Sequence, residues 1–341
     1  MRRIQTLTLL MSAALLTLAH VGNARAASDP GAVVRNLYAA FEAGDLATVQ
    51  GLVADDATWT YYGPDYVLPF AGVFRGPQGV GEFFRIVGET LSDVRAGQRQ
   101  FLVAGDQVTV PGWEESTVKA TGGRYRVDNV HLFTVRNGKI VKFEEFINSA
   151  DVLEAFLPAD LARGKALFTT CAGCHGNAAE GRVEVRAPAL TGLASAYITR
   201  QLRNFRNGRR GSMADMHGFM MIGRASALPG DRGVRDVVAY IGTMPAVREA
   251  PQAKADLGQG KKYYESCVVC HGSKAEGNEG LSAPALSHLD SQYMLTQMRN
   301  FQTKVRGAAD ADVPGQQMAA AAAALRAAKA MRAVIAYIKS L

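Results

Sequence analysis

Two five-residue strings constrain this chain more than anything else in it: Cys171-Ala172-Gly173-Cys174-His175 and Cys267-Val268-Val269-Cys270-His271. The 341-residue chain has four cysteines, and all of them fall in these strings. None is left for a disulfide or a thiol nucleophile. A redox dithiol or a four-thiolate zinc site also uses Cys-x-x-Cys, but neither explains a His after the second Cys in both places. Covalent attachment of a c-type haem does. Two thiols form thioethers with the two vinyl groups of one porphyrin, and the adjacent imidazole reaches the iron from the same side. On a helix, positions i, i+3 and i+4 share a face, which brings Cys171, Cys174 and His175 together, and likewise Cys267, Cys270 and His271. The reading is two covalently bound haem c groups.

The strings lie inside a longer repeat. A constant offset of 96 residues relates Gly164-Lys165 to Gly260-Lys261. It holds without a gap through Glu180-Gly181/Glu276-Gly277, the Ala-Pro-Ala-Leu strings ending at Leu190 and Leu286, Tyr197/Tyr293, Gln201/Gln297, Arg203-Asn204-Phe205/Arg299-Asn300-Phe301 and Arg210-Gly211/Arg306-Gly307. So long a register means one domain duplicated. Each copy reads as all-α: a helix with the haem motif, a loop with Ala-Pro-Ala-Leu, a helix over Tyr197–Asn207 or Tyr293–Thr303, and a terminal helix over Val234–Thr243 or Met331–Ser340. About 85 residues is small for an independent core, so the haem itself is expected to supply apolar volume.

A six-coordinate iron needs a second axial ligand, and a soft thioether opposite His raises the haem potential. Gly315-Gln316-Gln317-Met318 lies in the expected loop before the last helix, and Gly218-Phe219-Met220-Met221 occupies the same place in the first copy. Aligning the two glycines gives an iron-ligand set of His175, Met221, His271 and Met318. In the first copy Met213, Met216, His217 and Met220 lie close by, and Met220 is the main rival. The alternative for all these methionines is gap filling in a core.

Ahead of the repeat, residues 29–157 change character. Val33, Leu37, Tyr38 and Phe41 recur at helical spacing up to Gly44, and Leu46, Val49, Leu52 and Val53 suggest a second short helix. Trp59–Tyr62 reads as a strand stopped by Gly63-Pro64, and Pro77 opens a third helix. Strands follow over 98–104, 107–118, 125–135 and 139–147, with Asn137-Gly138 as the clearest hairpin signal. Helices first and a meander of long strands afterwards is α+β. The expected domains are therefore 29–157, 159–246 and 254–341, with the Ala/Pro-rich 245–251 as the linker between copies.

Met1-Arg2-Arg3, an apolar Ile4–Leu18 and Ala24-Arg25-Ala26 make residues 1–26 a secretory signal peptide, with Ala27 as the mature N-terminus. No later stretch is long and apolar enough to cross a bilayer. The formal net charge of +7 falls to +4 without Arg2, Arg3 and Arg25. That is too weak and too evenly spread for nucleic acid, and it suits docking to an acidic partner.

The first segment resembles the SnoaL-like, nuclear transport factor 2-like superfamily. The carrying residues are the Val33–Phe41 helix, Gly44-Asp45-Leu46, Asp55-Asp56-Ala57, Phe74-Arg75-Gly76 and Phe133–Ile140. The resemblance implies a cone-shaped α+β fold that hosts isomerases, cyclases, hydrolases and binding modules alike. It also implies an acid or base in the cone, for which Trp59, Tyr61, Trp113, Asn129, His131 and Glu145 are the inward-facing candidates. Where many relatives end the last strand with Asp this chain has Asn148, and His131 on an apolar strand also reads as a satisfied core histidine. The cone thus serves catalysis, a small apolar ligand, or dimerisation.

The repeat, on Cys-x-x-Cys-His-Gly, Ala-Pro-Ala-Leu, Tyr-x-x-x-Gln, Arg-Asn-Phe, Arg-Gly, Met and Val-x-x-Tyr-Ile, resembles the dihaem cytochrome c4 family of class I c-type cytochromes. In such cytochromes a proline carbonyl fixes the ligating His; Pro188 and Pro284, each 13 residues after its His, match. Tyr197, Arg203, Tyr293 and Arg299 are candidates to meet the haem propionates, against an ordinary amphipathic helix with a solvated Arg face. The resemblance implies a periplasmic protein that carries single electrons between a membrane quinol-oxidising complex, a terminal oxidase or a periplasmic dehydrogenase. The alternative is a dehydrogenase, or its haem acceptor subunit, whose substrate binds in the cone.

Overall fold

The computed structural model describes residues 29–246, 257–325 and 327–341. The expected signal peptide, and residues 247–251 of the expected linker, lie outside them. The N-terminal domain runs α1 (Pro30–Glu42), α2 (Leu46–Gly51), β1 (Val53–Tyr61), β2 (Gly72–Arg75), α3 (Gly76–Thr90), β3 (Leu91–Gln98), β4 (Leu102–Ala104), β5 (Gln107–Val118), β6 (Arg124–Arg136), β7 (Lys139–Ile147) and α4 (Ser149–Phe156). Side chains start the helices: Asp29 accepts from the Gly31 N–H and Asp45 from the Thr48 N–H, which satisfies donors that a helix end leaves open.

The strands form one seven-stranded sheet in the order β2-β1-β7-β6-β5-β3, with β4 also on β5. All pairings are antiparallel except β1 with β7. Asn137 and Gly138 both take positive φ, 52° and 76°, as the tight β6–β7 turn requires. Val34, Leu37, Val80 and Phe83 from α1 and α3 bury against Trp59, Val108, Phe133 and Phe143 of the sheet.

The sequence pattern misses β2, β3 and α4, and extends β4 too far back. The cause is physical: β3 buries only Leu91 and otherwise faces solvent or sits half-buried, so this edge strand carries no apolar alternation. The short α4 is set by Asn148, whose side chain accepts from the Ala150 N–H.

The first cytochrome-like unit has α5 (Leu161–His175), α6 (Ser195–Arg206), α7 (Met216–Ser226) and α8 (Gly230–Gly242). The second has α9 (Leu257–Tyr264), α10 (Val268–His271), α11 (Ser291–Gln302), α12 (Val313–Ala323) and α13 (Ala328–Ser340). In each unit the first helix crosses the last at a glycine. A Cβ on Gly164 would lie 2.1 Å from the Asp236 carbonyl oxygen, and one on Gly260 2.2 Å from that of Ala333. Only a bare Cα allows so close a crossing.

Two expectations need correction. Met221 and Met318 sit on helices α7 and α12, not in loops. Asp215 and Asp312 cap these helices by accepting from the Gly218 and Gly315 N–H groups. The Ala-rich α12 has no marked apolar stripe, so no clean helical period marks it in sequence. The haem-motif helix of the second unit is also broken between Tyr264 and Val268.

Candidate functional site

The last turn of α5 presents Cys171, Cys174 and His175, and the equivalent turn at α10 presents Cys267, Cys270 and His271. Gly176 and Gly272 end these turns at φ 82° and 78°. Both His side chains are buried. His175 Nδ1 lies 2.8 Å from the Pro188 carbonyl oxygen and His271 Nδ1 2.9 Å from that of Pro284. With Nδ1–H donated to a fixed carbonyl, each ring is locked in rotation and leaves Nε2 as the free ligand atom. Burial lowers both His pKa values, against the opposing pull of the proline carbonyls. Burial thus favours the neutral imidazole, the form that ligates a metal.

An apolar cavity opens beside His271. Cys267, Cys270, Pro284, Met298 and Met318 line it from the second unit, and Tyr197, Arg200 and Gln201 from the first. Paired thiols, an oriented imidazole, a thioether and apolar walls fit a haem c. In the first unit Met221 on α7 is half-buried, whereas Met213, Met216 and Met220 are 70%, 50% and 59% exposed. Of these four, Met221 alone is turned toward the interior.

The expected propionate group divides. Tyr197 and Tyr293 line the cavity, and their hydroxyls accept from Arg306 Nη2 (3.1 Å) and Arg210 Nη2 (3.0 Å). Arg203 pairs with Asp231 at 2.9 Å, toward the N-terminal domain, and does not line this second-unit cavity. Arg299 is exposed on α11. Helix geometry explains these directions. Tyr197 and Gln201 are four residues apart and share a face, whereas Arg203, six along from Tyr197, is turned well off it, and so for Tyr293 and Arg299.

Two further cations, Arg210 and Arg306, are both buried. Arg210 donates to Gln201 of its own unit at 2.7 Å and to Gln297 of the other at 3.2 Å. Arg306 mirrors it, with Gln297 at 2.7 Å and Gln201 at 3.0 Å. Burial alone would raise the Tyr197 phenol, but Arg306, Arg210 and Arg200 outweigh it and hold the phenol below its ordinary value. The signal for these residues was their place in the 96-residue register, which gives positions but not directions.

In the cone, Trp59, Tyr61, Asn129 and Glu145 are buried and His131 nearly so. His131 Nε2 lies 3.0 Å from Glu145 Oε1, and Nδ1 lies 2.5 Å from the Tyr38 hydroxyl. Trp113 faces the other way and stacks under the Arg126 guanidinium at 3.9 Å. Asn148 caps α4 and takes no part in the cone. Glu114 was not anticipated. Its carboxyl is pushed well above the carboxylate range, by burial first and then by the charge of Glu145. It sits on the same face of β5 as Val108 and Val110, where strand alternation would have placed it.

Comparison with known proteins agrees with this division. Residues 34–143 match the family described as SnoaL-like domain, and residues 161–245 and 258–341 match cytochrome c. A cbb3-type cytochrome c oxidase subunit, FixP, from Bradyrhizobium diazoefficiens is 26% identical over 200 residues, covering 54% of this chain and 67% of its own. Cytochrome c4 from Pseudomonas stutzeri is 24% identical, covering 54% of this chain and 99% of that one, with TM-score 0.45. An NTF2-like protein from Burkholderia thailandensis is 29% identical, covering 38% and 98%, with TM-score 0.36.

Proposed function

From a chain that carries a SnoaL-like domain followed by two cytochrome c domains, we propose a periplasmic dihaem electron carrier with an accessory N-terminal module. One observation carries this reading: the first cytochrome domain supplies Tyr197, Arg200 and Gln201 to the wall of the second domain's cavity. A haem site walled partly by the neighbouring cytochrome domain suits passage of single electrons between the two domains. Haem c, when bound, supplies one-electron exchange at its iron. The chain's own part would be to hold it: Cys171 and Cys174, and Cys267 and Cys270, would supply the thioethers, and His175 with Met221, and His271 with Met318, would ligate the iron. Iron ligated in this way would offer no open site to a substrate.

Maturation of covalent c-haem outside the cytoplasm supports the periplasmic part of this reading. Among the described residues no helix is long and apolar enough to cross a membrane. A terminal oxidase is a proposed partner, in keeping with the oxidase-subunit relative; a quinol-oxidising complex or a periplasmic dehydrogenase is the proposed donor. The test is a redox titration with optical spectra. Two haems per chain, a near-infrared thioether–iron band, and loss of part of that band in Met221→Ala and in Met318→Ala are expected. Rapid stoichiometric carbon monoxide binding to the reduced protein would overturn it.

One observation favours a second reading, a dehydrogenase with its substrate in the cone. Glu114 and Glu145 form a buried carboxyl pair, and His131 bridges Glu145 to Tyr38. Such an array can donate and accept protons. Haem reduction on adding a small organic substrate, lost in Glu145→Gln, would select this reading.

A further inference from the structure

The SnoaL-like domain and the first cytochrome domain enclose a cleft of about 710 Å³ that none of the chemistry above uses. Six arginines converge on it: Arg124 and Arg126 from β6, Arg203 and Arg206 from α6, and Arg232 and Arg235 from α8. Four carboxylates share the lining, Glu115, Asp151, Glu154 and Asp231. Three of the four are already engaged by these arginines: Arg126–Glu115 at 3.2 Å, Arg203–Asp231 at 2.9 Å, Arg206–Asp231 at 3.6 Å and Arg232–Glu154 at 3.5 Å. Asp151 takes a hydrogen bond from Asn148. Arg235 spends its terminal nitrogens on the Ala155 and Glu154 carbonyls. Arg124 is exposed and has no ion pair among the described residues. The lining therefore carries two more positive charges than negative ones.

The protein also leaves these guanidiniums incompletely bonded. The Nε–H groups of Arg203, Arg232 and Arg235 are buried without an acceptor among the described residues, an unfavourable state for a charged donor. Helix α8 begins at the cleft with Gly230, and its cap residue Pro229 offers no side-chain acceptor. The positive end of that helix adds to the same field. Crowded, partly buried, under-compensated arginines at a domain junction favour an anion beside them, and the guanidinium fork matches carboxylate and phosphate oxygens.

We propose that this cleft binds a small dianion bearing carboxylate or phosphate oxygens, so that ligand binding ties the SnoaL-like domain to the first cytochrome domain. Burial and the neighbouring positive charges lower the Arg203 and Arg235 pKa values, a strain that a bound dianion relieves.

The test is titration calorimetry on the full-length holoprotein at low ionic strength, where such contacts are least screened. The probes are inorganic phosphate, succinate, and acetate as a monoanion control. One-to-one binding of phosphate or succinate, at least about tenfold tighter than acetate, is expected, since one charge-assisted contact is worth about that factor. Binding of phosphate alone assigns a phosphate ligand; binding of succinate alone assigns a dicarboxylate. Arg124→Gln, at an exposed site without structural partners, should weaken the bound dianion several-fold. Arg136→Gln removes the same charge on the exposed pair with Asp106, outside the cleft, and should leave Kd unchanged. No saturable binding of either dianion, or equal weakening by the two substitutions, would overturn the proposal.

Discussion

Replacing Arg306 with Met tests whether the two cytochrome domains are held as one unit. Arg306 is buried and donates to Gln297 in its own domain at 2.7 Å, and to Tyr197 and Gln201 across the interface at 3.1 and 3.0 Å. Its Cζ also lies 4.4 Å from the centre of the Phe301 ring. Met keeps part of the packing on Phe301 and removes every donor. A hydrogen bond from a charged group contributes about 1.5–3 kcal/mol net, so the two cross-domain bonds together are worth about 3–6 kcal/mol. Two effects reduce that. Returning a guanidinium to water in the unfolded chain is favourable, so removing it recovers some desolvation energy. Gln201 and Gln297 also keep Arg210 as a donor, so only the Tyr197 hydroxyl is stripped. The expected net loss is about 2–3 kcal/mol, or about 4–12 °C in Tm for a unit of this size. Thermal unfolding of the holoprotein, followed by far-ultraviolet dichroism and haem absorbance, measures it. Tyr197→Phe in the Arg306→Met background should lose little further, because coupled neighbours are non-additive. A Tm within about 1 °C of the native protein, or strict additivity of the two substitutions, would refute the interface argument.

Gly164→Ala and Gly260→Ala each drive a methyl into a backbone carbonyl of the crossing helix and should destabilise by about 2–3 kcal/mol or more, read as a lower urea midpoint. Gly173→Ala, inside the first haem string, meets nothing within 4 Å and should stabilise by about 0.4–1 kcal/mol, provided the haem is still attached. Glu114 gives a pH prediction: its carboxyl is held above the ordinary 4.5 by burial and then by Glu145, so the folded state keeps a proton that the unfolded chain releases. That contribution to stability is full below about pH 4.5 and is lost as pH rises toward the folded value. Glu114→Gln should remove the loss, so its Tm advantage grows with pH. Tm curves that run parallel from about pH 4 to pH 8 would refute it.

Much of the candidate site is legible in the sequence because haem attachment is local. Five consecutive residues specify two thiols and an imidazole, and a proline 13 residues on reaches back to fix the ring. The α+β domain is legible where apolar alternation is strong, as along β5, β6 and β7, and illegible at β3, whose residues mostly face solvent. The interface between the cytochrome domains could not be read in the same way. Arg203 and Arg210 look equally basic in sequence, yet one pairs with Asp231 and the other crosses to Tyr293 and Gln297. Which direction each takes depends on helix phase and on a partner domain 96 residues away.

That interface has the logic of a twofold dimer inside one chain. Arg210 contacts Tyr293 and Gln297 while Arg306 contacts Tyr197 and Gln201, so each contact recurs with its partners exchanged. In such an arrangement a residue on the axis must meet its own equivalent. Gly192 and His288 are equivalent positions in the 96-residue register, and a Cβ on Gly192 would lie 2.9–3.0 Å from the His288 ring. A homodimer would have to place the same side chain on both sides there; a duplicated chain can set a glycine against an imidazole. Gly192 also takes φ 78°, where a side chain is strained by about 1–2 kcal/mol. Gly192→Ala should therefore destabilise by more than that backbone term, the excess arising from the imidazole. In a His288→Ala background only the backbone term should remain. If Gly192→Ala is equally destabilising in both backgrounds by chemical denaturation, the two positions do not meet, and the internal twofold axis runs elsewhere.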